Sequence, residues 1–370
     1  MGKSVGIVES KIFHCKDELA LVCGKKLSEF DLIYETYGKL NNNKTNAIFI
    51  PHALSGNHHI AGKYHKNDKY SGWWDNMVGP AKPIDTNKYF VIGINNLGGN
   101  DGSTSAKSIN PKTKKVWGSS FPILTVKDWV ASQKKLINSL GIEKLYAIVG
   151  GSLGGMQAMQ WSIDFPDAVE KILCIAAAPS LTAQNIAFNE VARQAILQDD
   201  EFYKGNFYQE KTKPKKGLRI ARMLGHITYL SNDSMDKKFG RKLIQGKYNY
   251  NFQQNYEIES YLNYQGDKFA MTFDANTYLR MTKALDYFDL EKNFKNKLSK
   301  VFAKIKAKYL VISFSSDWRF PPSRSKEIVK ALLDNNINVT YAEIEAETGH
   351  DAFLLESEHY HNTVRNYLRS

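Results

Sequence analysis

Cysteine is scarce in this chain. The 370 residues hold three, Cys15, Cys23 and Cys174. An odd number without metal-ligand spacing excludes a disulfide framework and fits a reducing compartment. No apolar run approaches the roughly 18 residues that a spanning helix needs. No secretory leader is read either, so the expected location is cytoplasmic, with no membrane partner. Internal repeats and low-complexity tracts are missing. Acidic residues are outnumbered, 38 Asp and Glu against 50 Lys and Arg, for a net charge of +12. The excess is mostly lysine spread along the whole chain with no recognition motif beside it. That pattern reads as a solvated surface rather than a nucleic-acid site, with attraction of an anionic substrate as the weaker functional reading.

What is present is organised around one stretch, Leu145 to Met156. A short apolar run bounded by glycines reads as a buried strand. Leu153 to Phe165 reads as a helix that stops at Pro166. Between them, Gly150-Gly151-Ser152-Leu153-Gly154 fits the G-x-S-x-G nucleophile elbow. A strand turning sharply into a helix crowds its own backbone, and glycine two positions either side of the serine relieves the collision. A Walker phosphate loop is excluded here, because no Gly-Lys-Ser/Thr follows the turn. A glycine-rich turn without chemistry stays open on the motif alone.

Around the elbow, strands are expected at Phe30–Thr36, Asn46–Ile50, Lys88–Ile94, Val169–Ala176, Lys308–Phe314 and Asn338–Glu343. Residues 1 to 29 read as an edge element and turn. Thr125 reads as the N-cap of a helix running to about Leu140. Further helices are expected at Ser325–Asn335 and at the C-terminus. Strands alternating with helices imply a mostly parallel sheet with helices on both faces, an α/β fold. The rhythm breaks from Leu181 to about Lys295, where helices are expected at Gln184–Gln198, Leu218–Leu230 and Ala275–Phe288. The implied division is core 1–180, inserted helical lid 181–295 and core 296–370. Lys211, Lys213, Lys215 and Lys216 read as a solvated linker.

A serine hydroxyl needs a base, and the base needs a group that fixes its tautomer. Of nine histidines, His350 alone sits in a Gly-flanked loop just past a late core strand. His359 and His361 lie on the terminal helix and read as surface. Asp317 stands just past the preceding strand. The order Ser152, Asp317, His350 is the order of the α/β-hydrolase fold. The backbone N–H groups of Leu54, in the loop after the second strand, and of Leu153 are the expected oxyanion hole. His58 and His59 in the same loop signal no third ligand, and no metal is expected. Esterase or amidase chemistry and a non-catalytic binding module both stay open on these residues.

More specific segments then add up. They include Tyr34-Glu35-Thr36-Tyr37-Gly38, Gly72-Trp73-Trp74-Asp75, Asn95-Asn96-Leu97-Gly98-Gly99 and Val149 through Gln157. Others are Gln184 through Glu190, Ala221 through Leu230, Tyr264-Gln265-Gly266, Phe273-Asp274-Ala275-Asn276 and Gly349-His350-Asp351-Ala352-Phe353. Over nearly its whole length the chain resembles the homoserine O-acyltransferases, α/β hydrolases that acylate homoserine on the way to methionine. The resemblance implies a ping-pong transfer from an acyl-CoA co-substrate through an acyl-Ser152, with no resident cofactor, and a helical lid that forms a homodimer. It also implies that Arg222 and Asp351 bind substrate. Arg222 suits the amino acid's carboxylate and Asp351 its ammonium. Members use acetyl-CoA or succinyl-CoA. Arg319, two residues after Asp317, resembles the succinyl users, whereas Pro321-Pro322 resembles the acetyl users' loop. Succinyl-CoA is the expected donor, with acetyl-CoA the alternative. Serine as acceptor is not separated from homoserine by the residues themselves.

Overall fold

The strongest apolar runs in the chain become the middle of a single sheet. In the computed structural model, which describes residues 3–294 and 297–370, the eight strands of that sheet are β1 Lys11–Cys15, β2 Phe30–Tyr37, β3 Ala47–Pro51, β4 Phe90–Ile94, β5 Leu145–Gly151, β6 Val169–Ile175, β7 Lys308–Phe314 and β8 Val339–Ile344. Their order across the sheet is β1-β2-β4-β3-β5-β6-β7-β8. Pairing is parallel from β4 through β8. Only β2 runs against its neighbours. The expected edge element is thus β1, followed by a short hairpin of Leu19–Ala20 with Lys26–Leu27.

Every residue of β3 is buried, because helices cover both faces of the sheet. Phe49 faces Trp129 and Trp161. Ile48 and Ile50 face the opposite layer with Val149, Phe353 and Tyr360. The helices are α1 Val126–Ser139, α2 Leu153–Asp164, α3 Ala183–Leu197, α4 Lys215–Tyr229, α5 Asn232–Lys238, α6 Glu257–Thr272, α7 Ala275–Tyr287, α8 Leu298–Phe302, α9 Pro322–Leu333 and α10 Glu358–Arg369. Thr125 caps α1 as expected, accepting from the Asp128 N–H while the Asp128 side chain accepts from the Thr125 N–H.

Several expectations need correcting. The lysine run is not linker throughout. Lys215 and Lys216 form the first turn of α4, and Lys213 Nζ donates to the Met271 carbonyl at 2.8 Å. His361 is buried rather than at the surface, because it flanks the apolar stripe Tyr360, Val364 and Leu368 on α10. Helices α5 and α6 were not foreseen. The expected end of the insertion, Lys295, and the residue after it lie outside the described residues.

Candidate active site

The elbow is built as steric argument requires. Ser152 has φ 56° and ψ −122°, a conformation that costs a non-glycine residue energy and is held by its surroundings. A Cβ on Gly150 would lie 2.2 Å from the Gly154 carbonyl oxygen, and one on Gly154 would lie 2.3 Å from that of Pro51. Neither contact is tolerable, so the helix can start directly against the sheet only with glycine at both positions. The serine side chain makes no capping bond to α2, and the first N–H groups of a helix have no partner inside it.

Loops at the C-terminal ends of β7 and β8 meet this serine. His350 Nε2 lies 2.8 Å from Ser152 Oγ, and His350 Nδ1 lies 2.7 Å from Asp317 Oδ2. Ionised, Asp317 only accepts, so Nδ1 carries the proton and Nε2 is free to take one from the serine. The other oxygen, Asp317 Oδ1, accepts the backbone N–H groups of Arg319 at 3.0 Å and Phe320 at 2.9 Å. Phe320, Phe353 and Tyr229 surround the imidazole, with ring centres 5.0, 5.6 and 6.3 Å away. Ser152 and His350 open into a narrow cleft, also lined by Leu54, Leu153, Arg319 and Asp351. The backbone N–H groups of Leu54 and Leu153 make no hydrogen bond to the described residues.

A serine–imidazole–carboxylate relay with two free N–H groups beside it is the apparatus of acyl transfer through a covalent intermediate. A family model described as the alpha/beta hydrolase fold matches residues 46–357. Homoserine O-succinyltransferase of Hydrogenovibrio crunogenus (strain DSM 25203 / XCL-2) is 56% identical over 371 residues, which cover 100% of this chain and 96% of that protein. The chain belongs to the homoserine O-acyltransferase family of α/β hydrolases. Among solved structures, homoserine O-acetyltransferase from Bacillus anthracis superposes with a TM-score of 0.92 at 30% identity, covering 98% of both chains. Esterase E22 superposes with a TM-score of 0.89 at 31% identity, covering 98% of this chain and 100% of that one.

Within this acyltransferase frame, Arg319 is only 7% exposed. Its Nη1 donates to Thr228 Oγ1 at 2.7 Å, and its guanidinium lies 5.3 Å from the Tyr229 ring centre. Among the described residues it forms no ion pair with a carboxylate. Arg222, about two turns before Tyr229 on α4, packs over the rings of Tyr229 at 5.9 Å and Phe269 at 4.9 Å. Asp351 is half-buried at the cleft. Burial pushes its carboxyl above the usual range, and the positive charge of Arg222 pulls the other way. Arg319 and Asp351 line the cleft itself, whereas Arg222 stands behind Tyr229.

Tyr229 was missed. It lies between the two arginines and beside His350, at the point where α4 ends on the catalytic loops. There Trp318 Nε1 donates to the Leu230 carbonyl at 3.0 Å. A Cβ on Gly349 would lie 2.6 Å from the Tyr229 carbonyl oxygen. The signal was available, because Tyr229 falls inside the segment Ala221 through Leu230. The partner of His58 and His59 was not foreseen. Both rings turn to one buried carboxylate, Glu35, at 3.6 and 3.1 Å. Burial raises the Glu35 carboxyl, and hydrogen bonds from His59, Tyr37 and Tyr64 outweigh it, so the net direction is down.

No described helix is long and apolar enough to cross a membrane.

Proposed function

We infer that this chain transfers a succinyl group from succinyl-CoA to the hydroxyl of L-homoserine. Ser152 Oγ attacks the thioester carbonyl while His350 Nε2 takes its proton. The tetrahedral oxyanion is held by the Leu54 and Leu153 N–H groups, each worth about 3 kcal/mol when well aimed. Collapse expels the CoA sulfur, which leaves with the proton from His350. The homoserine hydroxyl then gives its proton to His350 as its oxygen attacks the acyl-serine, and the second collapse returns that proton to Ser152. Asp317 keeps His350 in the productive tautomer and stabilises the imidazolium in both halves.

The observation that carries the donor assignment is Arg319, a buried cation in the same cleft as Ser152 that has no ionic partner among the described residues. Burying an unpaired charge is costly, and a succinyl carboxylate arriving there would offset that cost. Asp351 offers a carboxylate for the ammonium of homoserine, and Arg222 a cation for its carboxylate. The inserted helices act as a lid that keeps water from the acyl-serine. Exposed apolar residues on that lid, including Val191, Ile220, Tyr264 and Met271, support a homodimer built through it.

The test is an assay of two donors against two acceptors, succinyl-CoA and acetyl-CoA against L-homoserine and L-serine. Succinyl-CoA with homoserine is expected to turn over fastest. Release of CoA at the same rate without any acceptor would make the protein a thioesterase instead.

A further inference from the structure

Between the elbow and the loop after β3 lies a buried polar chain that the mechanism above does not use. His52 is completely enclosed. Its Nδ1 lies 2.7 Å from the carbonyl oxygen of Ala53, and its Nε2 lies 3.0 Å from the backbone nitrogen of Asn96. A carbonyl can only accept and a backbone N–H can only donate. These partners therefore fix one neutral tautomer, with the proton on Nδ1 and a lone pair on Nε2. Burial agrees, pushing the imidazole down from 6.5 to about 4.

The Ala53 carbonyl belongs to the same peptide unit as the Leu54 N–H. The described residues contain no cis peptide bond. In a planar trans peptide the N–H points opposite to the C=O. A grip on the Ala53 oxygen therefore aims the Leu54 hydrogen the other way. The Gly56 N–H holds the same oxygen at 3.1 Å. A Cβ on Gly56 would lie 3.0 Å from His52 Cβ, so the turn closes tightly over the ring. The carbonyl of His52 itself accepts from Gln157 Nε2 at 3.0 Å. Gln157 sits on α2, the helix whose first residue is Leu153. Gln157 Oε1 in turn accepts from Gln133 Nε2 at 2.7 Å, which also reaches Asn96 Oδ1 at 2.8 Å.

We propose that His52 is a positioning residue of the oxyanion hole, aiming the Leu54 N–H through the Ala53 carbonyl and tying it, through Gln157, to the helix that presents the Leu153 N–H. The inference rests on the acyl-serine reading given above. It assigns His52 no contact with substrate and no proton transfer.

Two substitutions split the ring's two bonds. In His52→Gln the amide oxygen can replace Nε2 as acceptor for Asn96, but the donor to Ala53 is lost. In His52→Asn the amide nitrogen can replace Nδ1 as donor to Ala53, while the bond from Asn96 is lost. Losing an oxyanion donor outright costs about 10²- to 10³-fold, so a donor left unaimed should cost on the order of 10- to 100-fold. Rapid-mixing mass spectrometry with succinyl-CoA is expected to show that loss in His52→Gln, in both formation and discharge of the acyl-serine. The Kd for succinyl-CoA should stay unchanged, and His52→Asn should recover most of the rate. Equal losses in both variants, or a folded His52→Gln as fast as the unaltered enzyme, would overturn the proposal. An unaltered enzyme that forms no adduct on Ser152 would remove the acyl-serine reading and this inference with it. A second measurement reads the ring directly. Spectra of ¹⁵N-histidine in the intact enzyme should show an Nδ1-protonated neutral imidazole that is missing from His52→Asn, and no such difference between the two spectra would refute the assignment.

Discussion

Arg319 donates its backbone N–H to Asp317 Oδ1 at 3.0 Å while its side chain reaches the other way, to Thr228 Oγ1 at 2.7 Å. One residue thus holds the triad carboxylate through its backbone and presents its side chain at the cleft, where the proposed acyl group would lie. Arg319→Leu keeps the first and removes the second. A charge-assisted bond is worth about 1.5 to 3 kcal/mol, so kcat/KM for succinyl-CoA should fall about 10- to 100-fold. The value for acetyl-CoA should change little. Replacing buried charged groups with a similar apolar volume is often neutral or stabilising, so the variant should melt no lower than the parent without ligand. A constant succinyl-to-acetyl ratio would refute the donor assignment.

Asp351 gives a pH dependence. Burial raises its carboxyl above 3.8, so protonation as the pH falls removes the charge proposed to hold the homoserine ammonium. The KM for homoserine should therefore rise toward acid pH. Asp351→Asn should have a high KM at all pH values and should flatten that acid limb. Steady-state kinetics with homoserine varied at saturating succinyl-CoA would decide. An unchanged KM in the variant would free Asp351 of any substrate role.

The sheet was legible because its strands are short apolar runs with loops of chemistry at their ends. Lys308–Phe314 was read to the residue, and Ser152, Asp317 and His350 could be matched by chain order. Helix α6 was not legible, and Gly266 shows why. Glycine inside a helix lowers its propensity, which argues against a helix on sequence grounds. Here a Cβ would lie 2.6 Å from Arg219 Cγ on α4, so the glycine serves a close helix crossing that only folding creates. Tyr229 stood inside a recognisable segment, Ala221 through Leu230, but its place beside His350 was illegible for a related reason. Its role comes from where α4 stops, at the backbone of Gly349, and no local pattern encodes that meeting.

The tautomer argument for His350 predicts an asymmetry between two triad substitutions. Asp317→Asn still fills the pocket made by the Arg319 and Phe320 N–H groups. Its amide can however donate to His350 Nδ1 and so favour the tautomer with the proton on Nε2. The expected loss in kcat is on the order of 10⁴-fold, with substrate affinity retained. Ser152→Ala should lose the acyl-enzyme entirely while still binding succinyl-CoA. Intact-protein mass spectrometry after mixing reads both. A succinyl adduct persisting in Ser152→Ala would move the nucleophile elsewhere.

His52 and His226 link folding to acidity. Burial lowers both from 6.5 to about 4. Above pH 6.5 each is neutral in the folded and unfolded chain alike. As the pH falls below that value the unfolded chain takes up a proton that the folded protein refuses, so stability drops until the pH reaches the folded value. For the fully enclosed His52 the window spans 6.5 to about 4, and one pK unit is about 1.4 kcal/mol, giving a loss of about 3 kcal/mol. His226 acts in the same direction. His52→Asn removes one titrating group, so its unfolding free energy should fall less steeply between pH 6.5 and 4.5 than that of the parent, whatever its stability at neutral pH. Denaturant unfolding at several pH values gives the two slopes. Parallel slopes would mean that water or a proton reaches His52 in the folded state, and the enclosed neutral imidazole at the oxyanion loop would have to be abandoned.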